Sequence, residues 1–542
     1  FHPELAKKVK THKEAFADGL FGGDFEAIIA DERYKYISKH LTPAKIKKNQ
    51  TDIKSGRVHL TASDRADRIL THKWVGIPIF LAILFMMFHL TFSQDLFYLN
   101  ALGVFGPAGL VSFSSHPVFD GLFANGGINS PGVLLFNLME IATSQVAGLV
   151  SGWLSSSPEW VAGFISDGVL GGVFAIMSFL PQILLLFLFF SILEDSGYMA
   201  RIAFILDQLF RKFGLSGRAF IPMIMGFGCS VPATINTRTL ANEQERIATI
   251  RVIPFFSCGA KLPILTAVAG AIVMQFGVRN ADVITYGMYL LGIVTAVVAV
   301  LIMRHTTLKG ETPPFIMELP AYHMPNLKSL LVHLWDKLKH FVQKAFTIIL
   351  ASTIVVWFIS HFSWSWQFLV DARMNESILA GLGQILVPLF TPLGFGSQLA
   401  GSFAWVFVVA SLTGLIAKEN VIATFGTIAA SVGLLIPEAS EGVGEVASLI
   451  VATGITLPAL ISFIAFNMTT IPCFATVATA RAELPKGQLK WTIFFWIGTS
   501  YFIGTAIYLI GTWWWTLFIF LGLAIMTTVL IVYREHHPKG AK

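Results

Sequence analysis

Apolar runs about 20 residues long recur from residue 74 to the C-terminus, and this feature restricts the fold more than any other. A helix of about 20 residues crosses the hydrocarbon core of a bilayer, where no water satisfies exposed backbone groups. Of the residues, 54% are hydrophobic and only 13% are charged, against about 25% charged in soluble domains. We therefore expect an all-α, polytopic helical membrane protein embedded in the lipid bilayer, with a small helical N-terminal segment ahead of the first span.

Hydropathy predicts about ten spans. Two further apolar stretches, 133–154 and 378–396, are expected to be re-entrant or interfacial helices, and the sequence does not decide between these. The predicted spans lie near 74–93, 168–193, 247–276, 284–303, 345–360, 398–417, 420–436, 448–473, 489–511 and 513–533.

The distribution of basic residues predicts the orientation. No Lys or Arg occurs from residue 74 to residue 200, whereas basic residues crowd into 304–344, 481–490 and the tail after Arg534. By the positive-inside rule, the connection between the first two predicted spans, which carries no Lys or Arg, lies outside the cell. Both termini lie in the cytoplasm. The net charge of +6 belongs to segments that flank spans, so we expect no nucleic-acid partner.

Glycine and proline interrupt the apolar runs at all three cysteines. Cys229 follows a glycine, Cys258 precedes a glycine, and Cys473 follows a proline. These residues must break helical hydrogen bonding inside the membrane, and the freed carbonyls are tolerated only where protein or water receives them. Secondary transporters build their sites from such broken helices. The simpler alternative is that each cysteine is a small packing residue, and a disulfide framework is not expected.

Four carboxylate and thioether side chains are further candidates for a transport pathway. Glu194 and Asp195 end an apolar run, and we expect Asp195 and Met199 to share a helix face one turn apart. Carboxylates inside membranes commonly serve ion pathways, although Glu194 and Asp195 are also compatible with a solvated helix end. Glu419 follows Lys418, and this pair either neutralises itself at a helix terminus or takes part in gating.

A short internal repeat relates two parts of the chain. The sequence ATINT at 233–237 recurs as ATVAT at 475–479, each just after a break that contains Cys and Pro and just before an arginine. An acidic residue lies upstream of each copy, Glu194 in the first and Glu419 in the second. Paired repeats with broken helices favour a transporter core whose site lies between the two halves.

Longer motifs carry a family resemblance. LEDSGYMAR, GFGCSVPA, TRTLANE and SCGAKLP resemble the first Gate motif of the ferrous iron transport protein B family. LTGLIAKENVIATFGT and TTIPCFATVATARAE resemble its second Gate. Ser230 and Lys261 stand where this family more often has Asn and Arg. The implied domains are a helical cytoplasmic segment (1–73), a first span with an external region (74–166), Gate 1 (167–303), a basic cytoplasmic loop (304–344), Gate 2 (345–480) and C-terminal spans with a basic tail (481–542).

The resemblance implies uptake of Fe2+ across the cytoplasmic membrane of a prokaryote. Fe2+ is then the substrate, and thiolates and carboxylates are ligands that it accepts. The family also implies a GTP-binding domain ahead of the first residue. This chain contains no G-x-x-x-x-G-K-[ST] loop, so GTP and Mg2+ would enter only through that other domain. Small cytoplasmic accessory proteins of the same transport system, and further copies of this chain, are the partners that the resemblance allows. The implied pathway residues are Cys229, Cys258, Cys473, Glu194, Asp195, Met199 and Glu419.

Two other functions are alternatives to iron transport. Gate-type domains also resemble segments of carriers for organic solutes such as nucleosides, but nucleoside recognition needs Asn, Gln and Glu hydrogen-bonding groups more than thiols. An intramembrane thiol enzyme would need a base near its cysteine. No histidine occurs from 117 to 304 or from 362 to 535, so we expect no catalytic residues.

Overall fold

The computed structural model describes residues 36, 67–72, 75–93, 95–98, 129–278, 280–308, 322–323, 325–369, 376–396, 405–416, 418–431, 442–522 and 526. Nearly all of the predicted helical segment 1–73 lies outside these residues. The predicted all-α class is confirmed, because the described residues form helices with only two isolated β-bridges.

Eighteen α-helices have both ends within the described residues and are numbered in chain order. They are α1 Gly76–Phe92, α2 Pro131–Leu154, α3 Glu159–Gly163, α4 Gly171–Asp195, α5 Tyr198–Lys212, α6 Phe220–Gly228, α7 Ser230–Asn236, α8 Glu243–Val252, α9 Leu262–Phe276, α10 Ala281–Thr306, α11 Leu327–His361, α12 Ile378–Phe390, α13 Trp405–Thr413, α14 Asn420–Ser431, α15 Val443–Thr453, α16 Leu457–Thr469, α17 Phe474–Glu483 and α18 Gln488–Thr512.

Six helical stretches in the described part of the chain are long and apolar enough to cross a membrane. The expected span at 247–276 is divided between α8 and α9, and the expected span at 448–473 is divided between α15 and α16. The expected end of the basic loop at residue 344 falls inside α11, a continuous helix of 35 residues. Hydropathy located the apolar segments, but it did not show where the chain turns within them.

Helix α2 differs from the prediction made for its residues. Residues 133–154 were predicted to be re-entrant or interfacial, yet α2 has 24 residues and is long and apolar enough to span. Ser130 caps its N-terminus by accepting a hydrogen bond from the amide of Val133, and Pro131 occupies the first turn, where no intrahelical donor is needed. The helix packs on α1 and α4.

The largest buried cluster joins the first half of the chain to the second. It packs α9 against α13, α14, α15 and α16, and its centre contains the rings of Phe407, Phe425 and Phe463. Between helices in lipid, such close packing replaces the hydrophobic effect as the main attraction. Two of the broken segments adjoin this cluster, because the one with Cys258 leads into α9 and the one with Cys473 follows α16.

Candidate transport site

The chain breaks at Cys229 as the sequence predicts. Helix α6 ends at Gly228, Cys229 is extended at φ −155° and ψ 128°, and α7 begins at Ser230. A Cβ atom at Gly228 would lie 2.3 Å from Cδ2 of Leu186 on α4. Glycine at this position therefore lets α4 pack closely against the broken backbone, and a larger residue would displace the Leu186 side chain.

The break around Cys258 is longer. A 3-10 turn, Ile253–Phe255, is followed by extended residues and by a second 3-10 turn, Gly259–Lys261, which leads into α9. A Cβ at Gly259 would approach Cε1 of Phe92 on α1 to 2.8 Å. The interruption predicted from the prolines and glycines of this segment is thus confirmed.

Cys473 repeats the arrangement of Cys229 in the second half of the chain. It is the N-cap residue of α17, as Cys229 is of α7, and its sulfur lies 3.3 Å from Oγ1 of Thr476. The two copies of the short repeat occupy α7 and α17, which pack on each other, and both cysteines contact the same small apolar cluster. The two copies of the repeat thus bring Cys229 and Cys473 to the same place in the fold.

All three cysteines line one cavity of about 120 Å3. A molecule of liquid water occupies about 30 Å3, so this cavity has room for a few waters or a partly hydrated ion. Glu419 lines the same cavity, as do Ser230, Thr476 and two lysines. Much of the remaining wall comes from α4 and from Phe92, and the rest comes from residues of the three broken segments themselves. Four of the seven residues that the resemblance implied for the pathway are thus brought together.

Two lysines in the cavity wall differ sharply in their contacts. Both are 2% exposed. Lys261 Nζ donates to the carbonyl oxygens of Pro254, at 2.6 Å, and Met468. It therefore ties the break of the first half to the C-terminal end of α16 in the second. Lys418 Nζ has no hydrogen-bond partner among the described residues, so the predicted neutralisation by Glu419 does not occur.

The other three predicted residues lie away from this cavity. Glu194 is exposed and Asp195 is half-buried at the C-terminal end of α4, while Met199 packs in an apolar cluster with Phe80 and Tyr198. The expectation that Asp195 and Met199 share a helix face is wrong. Gly197 adopts φ +79°, a left-handed conformation that ends α4 before α5 begins.

The cavity does not form a closed metal cage. Across the described residues, no group of three or more His, Cys, Asp or Glu side chains is arranged to hold one ion. The thiols and Glu419 are instead distributed along the cavity wall. A set of separate, weak ligands suits an ion that must also leave.

An ion pair joins the far ends of α7 and α17. Arg238, just after α7, donates to both carboxylate oxygens of Glu483, the last residue of α17, through Nε at 2.8 and 2.9 Å. This hydrogen-bonded carboxylate raises the pKa of Arg238 above its usual value. Glu483 is 4% exposed at its side chain and Arg238 is 61% exposed. The two cysteine-capped helices are thus held together at their opposite ends.

Comparison with known proteins identifies the family. The Gate family model, described as nucleoside recognition, matches residues 176–272. A second model, described as the C terminus of ferrous iron transport protein B, matches residues 285–337. The chain is 34% identical over 440 residues to an Fe(2+) transporter FeoB from Campylobacter jejuni, covering 80% of this chain and 62% of that protein.

The chain belongs to the ferrous iron transport protein B family.

Two further relatives support this family assignment. An Fe(2+) transporter FeoB from Staphylococcus aureus is 33% identical, with 83% of this chain and 59% of the relative covered. A fusion of Fe(2+) transport protein A with FeoB from Porphyromonas gingivalis is 32% identical, with 87% and 53% covered. The chain thus spans between about half and three-fifths of these relatives' lengths.

The sequence did not predict the contacts of four polar side chains at or near this site: Lys261, Lys418, Arg238 and Glu483. Lys261 was noticed only as a departure from the family pattern, although a lysine inside an apolar, interrupted segment is itself a signal of a buried polar contact. The exposure and contacts of Lys418 depend on the packing of both halves. The pair of Arg238 and Glu483 joins residues 245 positions apart, which no local pattern reveals.

Proposed function

We propose that this chain forms the membrane pathway through which Fe2+ enters the cell, and that the ion passes through the cavity lined by Cys229, Cys258, Cys473 and Glu419. The observation that carries the proposal is the convergence of all three cysteines on one cavity at three helix breaks. Thiolate and carboxylate ligands suit Fe2+, and soft sulfur ligands discriminate against Mg2+ and Ca2+.

Helix geometry supports the same role for Cys229 and Cys473. Each is the N-cap residue of a helix that points away from the cavity. The N-terminus of a helix carries a partial positive charge, which stabilises a thiolate placed there. The backbone breaks also leave carbonyl groups available to replace part of the ion's hydration shell.

Lys261 limits how tightly the cavity can hold the ion. Positive charge from this lysine, which two carbonyl oxygens accept, offsets negative charge in the wall, so the cavity does not become a deep trap for a divalent cation. Conduction requires a site that is favourable enough to enter and weak enough to leave. The same balance favours Fe2+ over monovalent cations, since only a divalent ion with affinity for sulfur gains enough from the thiols.

The wider assignment follows the family. The chain is a multi-pass protein of the cytoplasmic membrane, and we propose that its termini and basic segments face the cytoplasm, as their Lys and Arg content favours. A GTP-binding domain with Mg2+ would regulate or drive transport in the whole protein. The fusion relative, whose name joins transport protein A to FeoB, supports a small accessory protein as a partner.

Transport of an organic solute is the weaker alternative. Its support is the description of the Gate family model as nucleoside recognition. The cavity of about 120 Å3 is smaller than the roughly 300 Å3 at the lower end of ligand pockets. A nucleoside would not fit without a large rearrangement of the wall.

Metal flux into liposomes tests the proposal. The purified chain is reconstituted, and uptake of Fe2+, Mn2+, Zn2+ and a radiolabelled nucleoside is measured against protein-free liposomes. We expect uptake of Fe2+ above the other two metals and no nucleoside uptake. Nucleoside uptake without Fe2+ uptake would contradict the proposed function.

A further inference from the structure

A second cavity, of about 360 Å3, lies between α5, α6 and α10. Its lining is entirely apolar, with Phe213, Met223, Phe227 and Phe256 on the inner side and residues of α10 on the outer side. No residue assigned to the transport pathway lines it. The iron proposal therefore does not account for this cavity.

The size and lining of the cavity call for an apolar occupant. Apolar cavities of this kind stay dry, and the space is many times the roughly 30 Å3 that one water occupies in the liquid. If it were empty, its aromatic and aliphatic walls would lack van der Waals partners on one side. Water and polar ligands gain nothing from such a wall.

The cavity opens toward the bilayer. Ile293, on its rim, is 38% exposed, and the adjacent Val294 on the outer face of α10 is 50% exposed. Leu290 and Val298 continue this exposed apolar face. Helix α10 is long and apolar enough to span the membrane, so its outer face contacts lipid chains.

The cavity lies within the depth of one lipid leaflet. Along α10 it extends from Val300 to Ile293, and these residues lie about 6 Å and about 16 Å below Arg304 at 1.5 Å per residue. Half of the hydrocarbon core is about 15 Å thick. The cavity thus spans about 10 Å of this depth, enough for the deeper part of an acyl chain whose headgroup lies at the level of Arg304.

Basic residues surround the end of the cavity nearest Arg304. Helix α5 ends in Arg211 and Lys212, both exposed, and Arg304 packs against Gly214 just beyond. Asp207 is the acidic group on the same helix, and it pairs with Arg211. Lys212 lies next to this pair and provides the positive charge best placed for a phosphate.

We propose that this cavity is a phospholipid site, in which one acyl chain fills the apolar space and an anionic headgroup lies against Lys212 and Arg211. The chain would buttress the wall formed by Phe227 and Phe256, whose rings are 5.0 Å apart. Phe227 and Phe256 each lie two residues before a pathway cysteine, Cys229 and Cys258, so lipid would contact the back of both broken segments.

Photo-crosslinking on the unaltered chain tests the site directly. The chain is reconstituted with phosphatidylglycerol that carries a diazirine on one acyl chain, illuminated, and mapped by peptide mass spectrometry. We expect adducts to concentrate on the peptides that contain Met223, Phe227 and 293–300. Adducts spread evenly over the lipid-facing helices, or absent from these peptides, would overturn the proposal. If another segment of the protein filled the cavity, adducts would be absent from these peptides.

Matched variants test the binding mode. Ile293→Trp places a large ring in the mouth of the cavity, whereas Val294→Trp adds the same ring on the neighbouring outer face. Native mass spectrometry should show about fivefold less retained phosphatidylglycerol for Ile293→Trp and an unchanged amount for Val294→Trp. Lys212→Gln should reduce the preference for phosphatidylglycerol over phosphatidylcholine about twofold. Equal retention by both Trp variants would overturn the proposal. These readouts contain no iron, so their outcome is independent of the transport proposal.

Discussion

Removing either partner of the ion pair between Arg238 and Glu483 should destabilise the fold, but by different amounts. Removing the arginine, by Arg238→Gln, leaves a carboxylate that is 4% exposed without its partner. Removing the carboxylate charge, by Glu483→Gln, leaves a guanidinium that is 61% exposed and can be hydrated. We therefore expect Arg238→Gln to be the more damaging change.

The expected loss of stability lies between the values for fully buried and fully exposed ion pairs. Breaking a fully buried pair costs about 3–5 kcal/mol, and an exposed pair contributes about 0.2–1 kcal/mol. With one buried and one exposed partner, we expect Arg238→Gln to lower the free energy of unfolding by about 2 kcal/mol and Glu483→Gln by about 1 kcal/mol. The double variant should resemble Glu483→Gln, because the buried charge is then gone.

Unfolding in mixed detergent micelles, followed by tryptophan fluorescence, measures these differences. Arg211→Gln is the matched control, since it breaks the pair with Asp207 within one helix, where the carboxylate is 13% exposed against 4% for Glu483, and it should cost less than about 1 kcal/mol. The reasoning is refuted if Glu483→Gln is the more destabilising single change, or if the two changes simply add.

Three further predictions address packing, nucleotide binding and topology. Gly228→Val should destabilise the chain by about 1–3 kcal/mol, because its Cβ would overlap Leu186. Adding Leu186→Ala to this variant should recover part of the lost stability in the same unfolding assay. If stability does not recover, the contact with Leu186 is not the cause. The purified chain should show no GTP affinity by equilibrium dialysis, since it lacks a phosphate-binding loop, and measurable affinity would contradict this. On a cysteine-free background, Asn125→Cys should react with an impermeant thiol reagent from outside and Asn326→Cys only after permeabilisation, and the reverse pattern would overturn the proposed orientation.

The parts of the structure that follow from local chemistry could be predicted from the sequence. Proline and glycine act on their own backbone, so the breaks at Cys229 and Cys258 were predictable, as was the helical class. The short repeat located both α7 and α17 just after a break that contains Cys and Pro. It did not predict that these two helices pack on each other.

Features that depend on tertiary contacts could not be predicted in this way. Gly197 could continue a helix or end it, and only its φ of +79° shows that it separates Asp195 from Met199. Lys418 and Glu419 are adjacent in sequence, yet their side chains do not pair in the folded chain. Helix directions and distant contacts decided these outcomes.

The central claim is that Cys229 and Cys258 act together on the metal. Ser is nearly the same size as Cys but presents a harder, normally protonated oxygen, so each single Cys→Ser change should reduce Fe2+ uptake with little effect on folding. If both thiols bind the ion at one site, their contributions are non-additive, so the double variant should be scarcely worse than the more damaged single variant.

Uptake of Fe2+ by proteoliposomes that contain the double variant Cys229→Ser, Cys258→Ser is the most direct measurement. The amount of protein is matched to the parental chain, and size-exclusion chromatography checks that the variant is folded. We predict that uptake falls to the level of the weaker single variant. Near-parental uptake by the folded double variant would contradict the thiolate pathway.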